Sequence, residues 1–416
     1  MPSSFRFVHA ADLHLGSPFK GLSARDPELA RRFAEATRKA FTTLVSRTLE
    51  LEAEFMVIAG DVYDGEWQDN AVGLFFNREI ARLERAGIPV FVLRGNHDAE
   101  SVVTRSISMP ANVRGFDTRK PQTHLLEPLR VALHGQSFAD RSQGDNLARS
   151  YPAPEPGWFN IGVLHTSLTG RPPHADYAPC SVDDLRARGY DYWALGHVHD
   201  HEVIDTDPHI VFPGNLQGRS IRETGAKGAV LVTVTDGRVT GCERMIVDEA
   251  RWALLELDIS GLADLDAILS ALEEALRPHV QAAEGRALAV RLRLAGENPL
   301  RAWLLANRAL LRDEAQAAAA RVDADVSLEK LVLDVTGGEA PTPGTESGDP
   351  LIDLGGMLAA LRHDPEVLAA VEEVVGQVTA KMPHGLGADL DTGPEALAVL
   401  IEEAGEVLLQ KVGGKD

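Results

Sequence analysis

Three short apolar runs in the first hundred residues constrain the fold most. They are FRFVHAAD at 5–12, FMVIAGD at 55–61 and IPVFVLRGNHD at 88–98, and each closes on polar residues. Between them, 26–52 and 70–86 repeat apolar positions at helical spacing. Strand–helix–strand–helix–strand predicts an α/β layered architecture. After about residue 123 the texture changes to short strands separated by Gly, Pro and Asp turns, at 131–138, 159–167, 190–199, 209–215, 228–236 and 237–247. Several of these end in His or Asn, and a rigid strand delivering a polar residue at its C-terminal end is a common address for a site.

The rest of the chain reads differently. Residues 252–335 alternate strand, helix, strand, helix and strand, a smaller α/β unit. The stretch TGGEAPTPGTESGDP at 336–350 has linker composition. Two or three amphipathic helices are expected across 351–411, with Leu368, Val371, Val375 and Val378 on one face. The expected organisation is therefore a domain at 1–250, a small α/β accessory or cap domain at 251–335, a flexible linker at 336–350 and a helical tail at 351–416 that is a candidate for partner docking.

Charge and histidine are both uneven. The net charge of −21 divides into −6 over residues 1–250 and −15 over 251–416. No whole-chain basic excess announces nucleic-acid binding by counterion release. Of the 14 histidines, 11 lie in the first 250 residues, which places the chemistry there. Cys180 and Cys242 are too few for a disulfide framework and fit a reducing compartment. No apolar run approaches the roughly 20 residues of a membrane span. The N-terminal MPSSFRFVHAADLHLG reads as the start of a strand and not as a secretion signal, so a cytoplasmic protein is expected.

Five short motifs follow in order: Asp12-Leu13-His14, Gly60-Asp61-Val62-Tyr63-Asp64, Gly95-Asn96-His97-Asp98, His165-Thr166 and Gly196-His197-Val198-His199. Each alone is weak, because Asp-x-His recurs by chance and Gly-Asp or Gly-Asn pairs usually make turns. Together they set Asp12, His14, Asp61, Asn96, His165, His197 and His199 at predicted strand ends, a mixed nitrogen and oxygen donor set that packing does not explain. The glycines before Asp61, Asn96 and His197 allow sharp turns. Phosphodiester hydrolysis needs a nucleophile at neutral pH and relief of phosphoryl charge, and two cations about 3.5–4 Å apart supply both. Cations that close require a carboxylate between them. Such donors favour Mn, Fe or Zn over Mg or Ca, which prefer all-oxygen shells.

Over residues 5–245 these five blocks resemble the calcineurin-like metallophosphoesterase superfamily, in the family's order. The resemblance implies a four-layer α-β-β-α sandwich and two divalent metal ions. It gives Asp12, His14 and His199 to one metal, Asn96, His165 and His197 to the other, and Asp61 as the bridge. His97 matches the general acid, and Asp98 is expected to orient it. FVHAADLHLGSPFKGL at 7–22 and PGNLQGRSIRETGAKGAVLV at 213–232 further resemble the SbcD-like DNA-repair exonuclease branch, of the YhaO type. That implies a Mn-dependent DNA nuclease working with an SbcC-like coiled-coil ATPase, with homodimerisation left open. Arg94, Arg219 and Arg222 are candidates to grip substrate phosphate. Asp64 stands where some nucleases of the superfamily carry a second histidine. Two other readings stay open: a small-substrate phosphatase or cyclic-nucleotide phosphodiesterase on the same core, and a non-enzymatic interaction module.

Overall fold

The computed structural model describes residues 4–17, 27–64, 70–100, 109–140, 144–169, 177–337, 361, 364–380 and 393–413. The expected linker lies almost wholly outside them. The chain separates into two compact units, Met1–Ala253 with Gln281–Ala289, and Leu254–Val280 with Val290–Asp416.

The first unit holds two six-stranded sheets. One contains β1 (Ser4–Ala10), β2 (Phe55–Ala59), β3 (Val90–Leu93), β4 (Val113–Gly115), β11 (Gly228–Thr235) and β12 (Arg238–Ile246), in the order β12-β11-β1-β2-β3-β4. The other contains β5 (Gln122–Leu126), β6 (Val131–Gly135), β7 (Phe159–His165), β8 (Tyr192–Gly196), β9 (Glu202–Thr206) and β10 (His209–Phe212), in the order β5-β6-β7-β8-β10-β9. The pairs β1–β2, β2–β3, β6–β7 and β7–β8 are parallel.

Strand alternation explains why the sheets stack. In β1, Phe5 and Phe7 face the second sheet while Val8 and Ala10 face the helices; in β2, Phe55, Val57 and Ala59 go one way and Met56 and Ile58 the other. The first set meets Leu133, Ile161, Val163, Tyr192 and Ala194 in an apolar layer between the sheets, where the Phe7 and Phe55 rings stack at 4.8 Å. The second set meets Phe41, Leu44, Phe76, Ile80 and Leu83 from the helices Pro27–Glu50 and Asn70–Arg85. Phe138, Tyr151, Leu185 and Trp193 cover the far face of the second sheet, with the short helix Val182–Arg186 over it. This is the expected four-layer arrangement, although its outer layer on that side is thin.

A three-stranded sheet consists of β13 (Ala250–Asp258), β14 (Ala287–Glu297) and β15 (Val326–Thr336), in that order. In β14, Leu292 and Leu294 point inward, while Arg291 reaches Glu329 and Arg293 reaches Glu256 and Asp334 on neighbouring strands. The second helix expected within 252–335 is two, Arg301–Ala306 and Arg308–Val322. Asn307 breaks it by leaving the helical region and donating its Nδ2 to the Trp303 carbonyl at 2.9 Å. Helices Pro365–Ala380 and Pro394–Gly413 form in the expected tail, and the latter packs on Arg301–Ala306, burying Leu397 and Ala398. No helix among the described residues is long and apolar enough to cross a membrane.

Candidate metal centre

All the expected donors collect at the C-terminal ends of parallel strands. Asp12 and His14 follow β1, Asp61 follows β2, Asn96 and His97 follow β3, His165 ends β7, and His197 and His199 follow β8. The loops after β1 and β2 are zipped together by Asp12 N–H to Gly60 O at 3.0 Å, His14 N–H to Asp61 O at 3.0 Å and Leu15 N–H to Val62 O at 2.9 Å. The zip requires unusual backbone: Asp12, His14 and Asp61 have φ of 50°, 45° and 52°, and His197 has 97°. Residues other than glycine held in this region cost about 1–3 kcal/mol each, and such positions concentrate at functional sites.

The glycines serve two purposes. Gly60 does turn the chain, at φ 105°. Gly95 and Gly196 do not take positive φ; they are small because of what presses on them. A Cβ on Gly95 would overlap Asp61 Oδ1, and one on Gly196 would overlap the carbonyl oxygen of Ala59 in the other sheet.

Hydrogen bonding fixes which imidazole nitrogen faces the centre. His165 Nδ1 donates to Ala59 O at 2.9 Å, which turns Nε2 into the centre, 3.0 Å from Asn96 Oδ1 and 3.4 Å from Asp61 Oδ2. His199 Nδ1 meets Glu223 Oε1 at 2.8 Å, which turns its Nε2 toward His14 Nε2 at 3.2 Å and Asp12 Oδ1 at 3.9 Å. His14 Nδ1 is buried without a hydrogen-bond partner among the described residues. Donor atoms of Asp12, His14 and His199 lie within 4.8 Å of one another, as do those of Asp12, Asp61 and His165. Lone-pair nitrogens facing one another beside buried carboxylates suit a cation between them, so the donor set fits adjacent divalent ions.

The calcineurin-like phosphoesterase family matches residues 5–201, and the middle domain of metallophosphoesterase YhaO matches 252–336. The uncharacterized metallophosphoesterase YhaO of Bacillus subtilis (strain 168) is 34% identical over 309 residues, 73% of this chain and 74% of that protein. The chain belongs to the YhaO family of calcineurin-like metallophosphoesterases. Two archaeal proteins, each a DNA double-strand break repair protein Mre11, are also similar. That of Methanopyrus kandleri is 25% identical over 285 residues, 62% of this chain and 60% of its own length. That of Sulfurisphaera tokodaii is 23% identical over 276 residues, 63% of this chain and 68% of its own length.

Within this YhaO-family site the carboxylates are distributed differently from the sequence expectation. Asp98 does not stand behind His97. It is buried and accepts the backbone N–H groups of Val62, Tyr63 and Gly95 at 3.0–3.1 Å, stapling the loop after β2 to the loop after β3. The orienting carboxylate is Asp64, whose Oδ1 lies 2.9 Å from His97 Nδ1. Arg219 is not free to grip phosphate either. Its guanidinium bonds Asp64 Oδ2 at 3.1 Å and Glu223 Oε1 at 2.8 Å. Arg222 is exposed, and Arg94 is half-buried beside Gly95, its main-chain N–H on Ser137 Oγ at 3.0 Å. Glu223 was passed over in the sequence, although an acid four residues after Arg219 was visible there.

Burial and charge set the protonation of the metal-free site. Burial raises the Asp12 carboxyl to about 6, against the opposing pull of His165 and His199. Burial, reinforced by the charge of Asp61, pushes Asp98 up to about 7. Burial opposes ionisation of Asp61 too, but His165 overcomes it and holds Asp61 below the usual carboxylate range. Burial would lower His165, yet the Asp61 charge and hydrogen bond carry it up to about 9. His97 is likewise raised: burial lowers it, and Asp64 and Asp61 more than compensate. An apolar cleft of about 460 Å³, lined by Leu49, Ile88, Leu126 and Leu129, opens at the opposite ends of the strands and holds none of these donors.

Proposed function

We propose that this chain is a two-metal phosphodiesterase that cleaves DNA. The observation that carries the reading is the convergence of donors from both sheets beside a histidine backed by its own carboxylate. Asp12, His14 and His199 would hold one ion, Asn96, His165 and His197 the other, and Asp61 would lie between them. Manganese suits the mixed imidazole and carboxylate donors, with iron or zinc as alternatives. Two such cations acidify a water and neutralise phosphoryl charge.

The protein's own groups do the rest. Asp64 holds the Nδ1 proton of His97, which leaves the second proton of the protonated ring, on Nε2, to go to the leaving oxygen. Burial lowers the His97 pKa, but Asp64 and Asp61 carry it above its ordinary value, which favours the protonated ring. DNA is favoured as substrate by the similarity to proteins named for double-strand break repair. A coiled-coil ATPase of the SbcC kind is the proposed partner, docking on the C-terminal helices, where Val374, Val378 and Leu400 stay exposed. The proposed location is cytoplasmic.

The test compares Mn-dependent hydrolysis of an end-labelled DNA duplex, a cyclic nucleotide and a chromogenic phosphate monoester, with Asp61→Ala as control. Preference for the duplex, lost in Asp61→Ala, supports the reading. Faster turnover of either small substrate overturns the DNA assignment, and no hydrolysis of any overturns the enzyme.

A further inference from the structure

The segment Pro213–Glu223 contributes none of the proposed metal ligands, yet it runs beside them. From it, Glu223 Oε1 meets His199 Nδ1 at 2.8 Å and accepts Arg219 Nη2 at 2.8 Å. Glu223 Oε2 accepts the Arg219 main-chain N–H at 2.7 Å and Asn215 Nδ2 at 2.9 Å. Arg219 Nη1 then reaches across to Asp64 Oδ2 at 3.1 Å, and Asp64 Oδ1 meets His97 Nδ1 at 2.9 Å. The result is one unbroken chain of charge-assisted contacts, His199–Glu223–Arg219–Asp64–His97. It joins the loop after β8 to the loops after β2 and β3.

Each link has a mechanical consequence. An imidazole has two nitrogens and swings about one bond, so anchoring Nδ1 fixes where Nε2 points. Glu223 anchors His199 in this way and Asp64 anchors His97. Neither carboxylate is itself fixed by its histidine alone. Arg219 supplies what both need: a planar cation with donors on several edges, able to hold two acids at once in a set geometry. The side chains of Arg219, Asp64 and Glu223 are only 18%, 15% and 11% exposed, so solvent competes weakly for these bonds.

We propose that Glu223, Arg219 and Asp64 act as a single positioning strap that sets both imidazoles, so that metal retention at His199 and proton delivery at His97 depend on one arginine. None of the three touches substrate on this assignment; Glu223 and Arg219 act through His199, and Asp64 and Arg219 through His97. The inference rests on the two-metal reading above but not on DNA as substrate.

The experiment uses the full chain, with Arg219→Met, Arg219→Lys, Glu223→Gln and Asp64→Asn beside wild type. Mn(II) affinity is measured by calorimetric titration, and kcat and KM on a chromogenic phosphodiester at saturating Mn(II). Thermal melting checks folding. Loss of an outer partner of a ligating histidine typically weakens metal affinity about 10- to 100-fold, and that is the effect expected for Glu223→Gln. Asp64→Asn should lower kcat with KM and Mn(II) affinity little changed. Arg219→Met should do both, and Arg219→Lys, a point charge that reaches one carboxylate, should restore one property and not the other. If Arg219→Met fails to fold, Glu223→Gln and Asp64→Asn together decide the outcome, since they remove one end of the strap each. Wild type that binds no Mn(II) overturns the metal reading and the strap with it. Wild type that binds Mn(II), beside folded variants with unchanged affinity and kcat, overturns the strap alone.

Discussion

Asp98→Ala tests whether the acid of the Gly-Asn-His-Asp motif is a staple for backbone or an aid to catalysis. Its carboxylate satisfies three buried N–H groups, those of Val62, Tyr63 and Gly95. Leaving a buried donor unsatisfied costs about 1–3 kcal/mol, so three set an upper limit of roughly 9 kcal/mol. Two effects reduce it. Water entering the vacated space bonds some of the donors. The variant also loses a buried acid whose pKa burial, helped by the charge of Asp61, pushes up to about 7. A net loss of about 2–5 kcal/mol is expected, which for a unit of this size lowers Tm by roughly 4–20 °C. Differential scanning calorimetry at pH 7, with and without Mn(II), reads it. Asp64→Asn is the comparison, because it preserves shape at a position whose partners are His97 and Arg219; it should melt within a few degrees of wild type while turning over more slowly. A fall below about 2 °C for Asp98→Ala, together with a slower kcat, would restore Asp98 to the role the sequence suggested and refute the staple.

Three further outcomes are expected. His165 titrates at about 9 in the fold because Asp61 outweighs burial, so its stabilisation is complete below about 6.5, the unfolded value, and is lost as pH rises through 9. Metal-free protein should therefore melt at progressively lower temperature from pH 6.5 to 9, and the Mn-loaded protein, whose His165 must be neutral, should lack that slope; a flat metal-free profile contradicts the His165–Asp61 pairing. His97→Ala should bind Mn(II) as wild type does in a calorimetric titration while kcat falls about 10²- to 10⁴-fold, the range for losing a general acid, and near-normal turnover would remove His97 from that role. Gly95→Ala keeps an unstrained backbone, but its Cβ meets both Asp61 Oδ1 and the Asp61 backbone nitrogen; a lowered Tm together with weakened Mn(II) binding is expected, and wild-type Tm and binding would show that the loop yields.

What the sequence made legible was whatever a single strand or its end determines. The apolar runs at 5–12 and 55–61 read as strands without any tertiary knowledge, and they form β1 and β2. The donors are legible for the same reason, since each sits at the end of its own apolar run. What stayed hidden depends on partners far apart. Whether Asp64 or Asp98 stands behind His97 is decided by how two loops thirty-odd residues apart pack, and in sequence Asp98 adjoins His97 while Asp64 closes a separate motif. The spacing of Glu223 from Arg219 is visible in the sequence, but its link to His199, 24 residues away on another element, is not. The edge strand Gln122–Leu126 was missed because its residues are half-exposed and show no clean alternation.

The touching of the two sheets at Ala59, His165 and Gly196 has a consequence for the order in which this protein matures. The proposed ligands of each ion come from strand ends in both sheets, and Asp12 and His199 are separated by most of the first unit's chain. No contiguous stretch of polypeptide offers more than two of them, so a nascent or half-folded chain has nothing with which to capture an ion firmly. Loading must then follow sheet docking. Refolding in the presence of Mn(II) should proceed at the rate seen without it, with uptake as a late, separate phase, and the ion would stabilise the finished product without serving as a template for it.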